Sequence, residues 1–171
     1  MELWKNFDLE QNILGAMVIR EGERIPEVLR ILSAEDFTDE KNRILFSHIV
    51  GQYLSGEKPE MVTLIEEMKS AGDFDKVGIE YFTDVLLRTT YTNAYIEKHA
   101  RELKARSDLT RLKILTQRML EEVNAGKKSA VEIVEEMSTE FSGFLVADEV
   151  SKITMSQEYF RSRVHKRFSK V

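Results

Sequence analysis

Apolar residues recur along this chain at spacings of three and four, and period-two alternation is rare, so the pattern predicts helices and almost no strand. Asp8 stands where it would cap a first helix over residues 9–20, with Glu10 and Gln11 in the opening turn, where negative charge meets the positive end of the helix dipole. Ile13, Leu14, Met17 and Val18 share one face of that helix. Gly15 costs roughly 1 kcal/mol there against alanine, which makes sense where another element packs closely. Pro26 sits in the first turn of a short helix ending near residue 32, and Ser33 caps a brief turn through Phe37. Asp39 caps a helix to residue 54, with Ile44, Leu45, Ile49 and Tyr53 on its apolar side. Residues 55–59 form a loop. Thr63 is expected to cap a short helix carrying Leu64, Ile65 and Met68, which Gly72 closes as a left-handed cap. Residues 73–78 are a second connection, and another helix spans 79–88.

From residue 92 the character changes. Thr92 caps a helix expected to run to residue 125 without Gly or Pro, roughly 50 Å long. Gly126, Lys127 and Lys128 turn the chain, and Ser129 caps a return helix to about residue 146. Ala130, Val134, Met137, Phe141 and Phe144 alternate in steps of four and three, a seam like that of a short coiled coil. Leu112, Leu115, Met119 and Val123 face it from the outgoing helix. Such a hairpin has two apolar sides to cover, which points to oligomerisation rather than packing on its own domain alone. A last helix over 156–169 carries Tyr159, Phe160, Val164 and Phe168 as a stripe, with Arg161, Arg163, Lys166 and Arg167 mostly off it. The expected organisation is all-α: a globular head over residues 1–91, a long antiparallel hairpin over 92–147, and a linker with an amphipathic helix over 148–171.

Composition narrows the function classes. The 171 residues are 42% hydrophobic and 32% charged, enough for a core and a soluble helical surface. With no cysteine, disulfide scaffolds, thiolate zinc sites and cysteine nucleophiles are all excluded. No apolar run approaches the roughly 20 residues needed to span a membrane, and no signal peptide is evident at the start. A cytoplasmic location is therefore the expectation. The net charge of −5 is uneven: residues 155–171 hold five Lys/Arg against one Glu, leaving the remainder near −9. An acidic body does not suit a nonspecific nucleic-acid clamp, which needs a dense basic surface.

Catalytic patterns are missing. His48, His99 and His165 fall on different helices without metal-ligand spacing, and Glu66, Glu67, Glu121 and Glu122 fit charged helix faces. There is no phosphate-binding Gly-x-x-x-x-Gly-Lys-Ser/Thr loop and no Gly-x-Ser-x-Gly elbow. The chain is expected to be a binding and assembly module with no catalytic, cofactor or metal residues of its own.

The order of these segments resembles the N-terminal domain of DnaB-type replicative DNA helicases, over about residues 8–147. Glu10-Gln11-x-Ile13-Leu14-Gly15-Ala16-Met17 is similar to the family's opening, Glu35-Asp36-Phe37 to its short turn, and Asn42-Arg43-Ile44-Leu45-Phe46 to the next helix. Gly56-Glu57-Lys58-Pro59 with Val62-Thr63-Leu64, then Gly72-Asp73-Phe74 and Val77-Gly78, follow in the family's order, as do Ile96-Glu97, Ala100, Arg106, Arg111 and Leu112. Where the family usually has a Gly-Gly pair this chain has Gly78-Ile79, and where it often has an Asn before the long helix the register gives Tyr95, with Asn93 nearby. The resemblance implies a six-helix head plus hairpin, with hairpins pairing between subunits so that dimers build a three-fold collar over a hexameric motor ring.

It further implies docking of the primase C-terminal domain on that collar. The hairpin residues expected at the oligomer or primase interface are Leu115, Met119, Val123, Met137, Phe141 and Phe144. Tyr159, Phe160, Val164 and Phe168 of the linker helix are expected to dock on the motor domain of a neighbouring subunit. ATP and Mg²⁺ belong to that motor domain, which the resemblance places beyond this stretch of chain, making this a fragment of an ATP-dependent helicase. The alternative is a stand-alone loader or adaptor that binds a helicase. A small helical enzyme is a third reading, which needs a pocket of convergent polar groups.

Overall fold

The computed structural model describes residues 4–88 and 95–142. Their elements are α1 (Trp4–Val18), a 3₁₀ turn (Ile19–Gly22), α2 (Ile25–Leu29), a second 3₁₀ turn (Ala34–Asp36), α3 (Glu40–Leu54), α4 (Met61–Ala71), α5 (Phe74–Val77), α6 (Ile79–Arg88), α7 (Ile96–Ala125) and α8 over 130–142. The protein is all-α, with no strand among the described residues, as the apolar spacing predicts. No helix there is long and apolar enough to cross a membrane.

Two compact units divide after Asp108. In the first, α1 packs on α6 and α3, and α3 also holds α4 and α5. Its core joins Ile13, Leu14 and Met17 of α1 to Leu45 and Ile49 of α3, Leu64 and Met68 of α4, and Phe82 and Val85 of α6. Phe37 and Phe46 stack at 4.8 Å between ring centroids, tilted by 40°. The beginning of α7 belongs to this unit, since Ile96, Ala100 and Leu103 lie in the same core and Ser107 is buried. The expected boundary at 91/92 falls outside the described residues; the helix that starts beyond it serves both units. The second unit, from Leu109, contains the rest of α7 and α8.

Local chemistry sets some of the boundaries. The Asp39 carboxylate accepts from the Lys41 and Asn42 N–H groups and starts α3. Gly72 ends α4 with φ +74°, the left-handed conformation that glycine adopts without a Cβ penalty. Three expectations are corrected. α1 begins at Trp4, so Asp8 lies inside the helix and is not its cap. α4 begins at Met61 after Glu60, so Thr63 stands in its first turn rather than at the cap. The connection over 73–78 contains the single turn α5, too short to leave a periodic signature. The Thr92 cap lies outside the described residues.

The turn after α1 is closely packed. Gly22 has φ +79°, and a Cβ there would come within 2.9 Å of Ile25 Cδ1 and of Pro59 Cγ and Cδ. Pro59 is itself buried, so the 55–60 loop is pinned against this turn. Gly22→Ala combines left-handed strain with overpacking and should destabilise by about 2–4 kcal/mol. Thermal unfolding checks this; an unchanged midpoint would show that the turn relaxes freely.

Candidate functional site

The residues of the opening motif meet α3 through a buried polar cluster. Glu10 is fully buried. Its Oε1 accepts from the Thr38 N–H at 2.8 Å and the Thr38 hydroxyl at 2.6 Å, and its Oε2 from Asn42 Nδ2 at 2.7 Å. A longer contact of 3.4 Å comes from the Asp39 N–H to Oε2. The negative charge thus sits at the N-terminus of α3, where backbone donors and the helix dipole stabilise it. Tyr81 of α6 extends the cluster by donating its hydroxyl to Asn42 Oδ1 at 2.6 Å. Burial, opposed by hydrogen bonding to Gln11 and Asn42, pushes the Tyr81 phenol up to about 12.

A second anchor joins the 3₁₀ turn to α7. Asp36 is buried and accepts from the Ser33 N–H at 2.9 Å and the Ser33 hydroxyl at 3.2 Å. Its other oxygen accepts from Lys104 Nζ at 3.0 Å, and Lys104 also lies 3.3 Å from Asp108. Burial alone would lower the Lys104 pKa, but the hydrogen bond and charge of Asp36, with Asp108, hold it above its ordinary value. These contacts position the start of α7 within the first unit.

The hairpin tip follows the sequence closely. Gly126 has φ +60°. The Ser129 N–H donates to Glu132 Oε2 at 2.7 Å while the Glu132 N–H donates to Ser129 Oγ at 3.3 Å, a reciprocal capping box that begins α8. Ile133 and Met137 are the buried apolar residues of α8, with Phe141 half-buried; on α7, Leu115 and Met119 are half-buried. Beside this seam runs a ladder of charges. Arg118 reaches Glu136 at 3.0 Å and Glu140 at 2.6 Å, and Lys128 reaches Glu136 at 2.6 Å and Glu122 at 3.3 Å. The charge of Glu140 first, then the hydrogen bonds that Arg118 donates to Glu136 and Glu140, hold the Arg118 pKa up against desolvation. Lys128 first, and then Arg118, hold the Glu136 carboxyl below its usual range. A depressed carboxylate contributes stability above the ordinary carboxylate range and loses it as the pH falls through the lowered value.

Among the described residues, the other side of the hairpin is mainly apolar and exposed. At roughly 100° per residue, Leu112, Leu120 and Val123 lie about 60–140° to one side of Leu115, whereas Arg118 lies about 60° to the other. On α8, Val134 lies about 100° from Ile133 in one direction and Glu136 about 60° in the other. The Arg118–Glu136 pair fixes the ladder on one side of both helices. Leu112, Leu120 and Val123 of α7 therefore share the opposite side with Ala130 and Val134 of α8. Exposures of 60% for Leu120, 54% for Val123 and 56% for Val134 make this a composite apolar flank.

Of the expected interface residues, Val123 lies on that flank, Leu115, Met119 and Phe141 at its edge with the seam, and Met137 inside the seam. Phe144 and the linker residues Tyr159, Phe160, Val164 and Phe168 lie outside the described residues. Ile133, buried at 5% exposure, was missed by the sequence seam, although its spacing of four from Met137 is a helical signal. Leu120 was missed because it falls between the steps of four and three.

No group of three or more His, Asp or Glu is placed to hold a metal among the described residues. His48 pairs with Asp73 at 3.2 Å, and Asp73 also accepts from Lys76 at 2.7 Å. The Lys76 hydrogen bond first, then that of His48, holds the Asp73 carboxyl below its usual range. A groove of about 520 Å³ lies between Lys41, Gly78, Tyr81 and Asp84. Lys41 there lies 5.0 Å from the Tyr81 ring centroid and donates to the Val77 carbonyl at 3.3 Å. Its lining brings no nucleophile against a base.

Residues 2–105 match the model of the DnaB-like helicase N terminal domain family. A replicative DNA helicase DnaB of Rhodothermus marinus is 34% identical over 94 residues, which are 55% of this chain and 10% of that protein. A replicative DNA helicase DnaB of Leifsonia xyli subsp. xyli is 24% identical over 103 residues, 60% of this chain and 22% of that protein. The match thus spans a minor part of either relative. The crystal structure of the N-terminal domain of DnaB helicase from Mycobacterium tuberculosis superposes with a TM-score of 0.71 at 23% identity, covering 80% of this chain and 96% of that one. That likeness supports the all-α fold.

Proposed function

Because the chain belongs to the DnaB-like helicase N-terminal domain family, we propose that it is the assembly head of a hexameric replicative helicase. Its role in this reading is to pair subunits through the hairpin, as dimers that build a collar, and to offer that collar to the C-terminal domain of primase. The intact protein would be an ATP-dependent helicase that separates strands at the replication fork. ATP and Mg²⁺ would be bound by a motor domain, with none of the described residues contributing to the chemistry. Tyr159, Phe160, Val164 and Phe168 are proposed to dock on a neighbouring subunit's motor domain.

The observation that carries this reading is the composite flank of Leu112, Leu120, Val123 and Val134. A helix as lightly buried as α8, with Ile133 and Met137 inside, gains little from its own seam. Burying an apolar side chain contributes roughly 1.5–3 kcal/mol, whereas ordering each backbone residue costs about 1–2 kcal/mol. A second copy seated on the flank removes further apolar surface from water on both hairpins at once. Aliphatic residues along two antiparallel helices, with the paired charges of the ladder on the other side, suit an isologous contact between like chains.

The test is the native mass of this chain by light scattering, from low to high micromolar concentration. Dimers, or dimers growing to a hexamer, are expected. A strict monomer over the whole range would overturn hairpin pairing by this chain.

A further inference from the structure

The ladder of charges lies across the hairpin from the apolar flank, and the flank exists only while α8 lies against α7. Leu112, Leu120 and Val123 come from one helix, and Ala130 and Val134 from the other. We propose that the Arg118–Glu136–Lys128 ladder is a salt-sensitive latch that holds α8 on α7 and thereby assembles the apolar face on the opposite side. Three observations carry this. The apolar seam beneath α8 has Ile133 and Met137 as its buried residues on that helix. Each base bridges two carboxylates: Arg118 joins Glu136 and Glu140 across the hairpin, and Lys128 at the tip joins Glu122 to Glu136. Glu136 is the shared member, so its removal loosens both bases at once.

An isolated surface ion pair contributes little, but a network sharing partners restrains each side chain for the next. Its side chains stay 29–45% exposed, so dissolved ions reach them and compete. Released, α8 would free the inner faces of Ile133 and Met137 and divide the flank into two separate helices. The latch stands on the hairpin geometry alone; its consequence for pairing rests on the assembly reading above.

Hydrogen exchange of the full chain, at concentrations dilute enough to keep it monomeric, tests the latch directly. Glu136→Gln keeps a good helix former while removing the shared charge. Amides of residues 130–142 should then exchange about fivefold faster or more, with α3 and α4 unchanged. High sodium chloride should do the same to the wild-type chain and add little in the variant. Unchanged exchange of α8 in both the variant and high salt would overturn the latch. In concentrated samples that self-associate, Glu136→Gln should weaken pairing although it is remote from the flank, and salt should weaken wild-type pairing. Pairing that strengthens in salt, as contact between apolar surfaces alone would, overturns the coupling. Monomer exchange keeps that result separate from any failure of the hairpins to pair.

Discussion

Replacing Glu10 with alanine is expected to destabilise the first unit by roughly 3–5 kcal/mol. The carboxylate is fully buried and accepts from the Thr38 N–H, the Thr38 hydroxyl and Asn42 Nδ2 at 2.6–2.8 Å. Its removal leaves the Thr38 amide and the Asn42 amide without that acceptor, and it takes a negative charge from the start of α3. Asn42 also accepts from Tyr81, so α1, α3 and α6 lose a shared centre together. Tyr81→Phe removes one hydrogen bond and should cost about 1 kcal/mol. The two effects should not add, because the groups share Asn42. Urea unfolding of the single and double variants measures this. A Glu10→Ala cost below about 1 kcal/mol, no larger than that of a typical single hydrogen bond, would show that water or a shifted α3 replaces the carboxylate. A cost of the expected size explains why an acidic residue stands amid Leu9, Ile13 and Leu14.

That role was legible in the sequence only in part. The sequence places Glu10 with Gln11 in the opening turn of the first helix and matches its charge to the positive end of that helix. The helix was the wrong one: α1 starts at Trp4, and the charge meets α3 instead, through partners 28 to 32 residues away. Rules that relate a residue to its own turn cannot see such a partner. Several boundaries set by local chemistry are readable, namely Asp39 before α3, Gly72 after α4, and Gly126 with Ser129 at the hairpin tip, whereas the same rule misplaces the caps at Asp8 and Thr63. α5 is not readable, since a four-residue turn has no period to detect. On α8, the stripe Ala130, Val134, Met137 and Phe141 mixes two duties. Met137 lies in the seam with Ile133, while Ala130 and Val134 face outward, because the steps of four and three follow a line between the two faces. Apolar spacing shows that a helix has work to do on one side; it does not divide that side between a neighbour in the same chain and a neighbour in another.

The division has a measurable consequence. Leu120→Glu and Val123→Glu together should weaken self-association at least about a hundredfold, since burying a charge without a partner costs several kcal/mol and each 1.4 kcal/mol is tenfold. The folded chain should hardly notice, because both side chains are more than half exposed within it. Met137→Ala has the opposite signature. Its side chain is 2% exposed, so truncation should loosen α8 itself, with a loss of roughly 2–5 kcal/mol typical of buried methionine. Pairing would then fall as a result of unfolding at the tip. Leu54→Glu on the head, at 73% exposure, controls for added negative charge away from the hairpin. Sedimentation gives the association constants, and circular dichroism gives the helix content of each variant. If Leu120→Glu/Val123→Glu pairs like the wild type while Met137→Ala loses both helix and pairing, the exposed flank is not the contact. The contact would then lie on the seam edge at Leu115, Met119 and Phe141, or on the head. If the flank variant falls to monomer with its helix intact, and Leu54→Glu does not, the exposed aliphatic side chains of α7 and α8 are the surface that another copy covers.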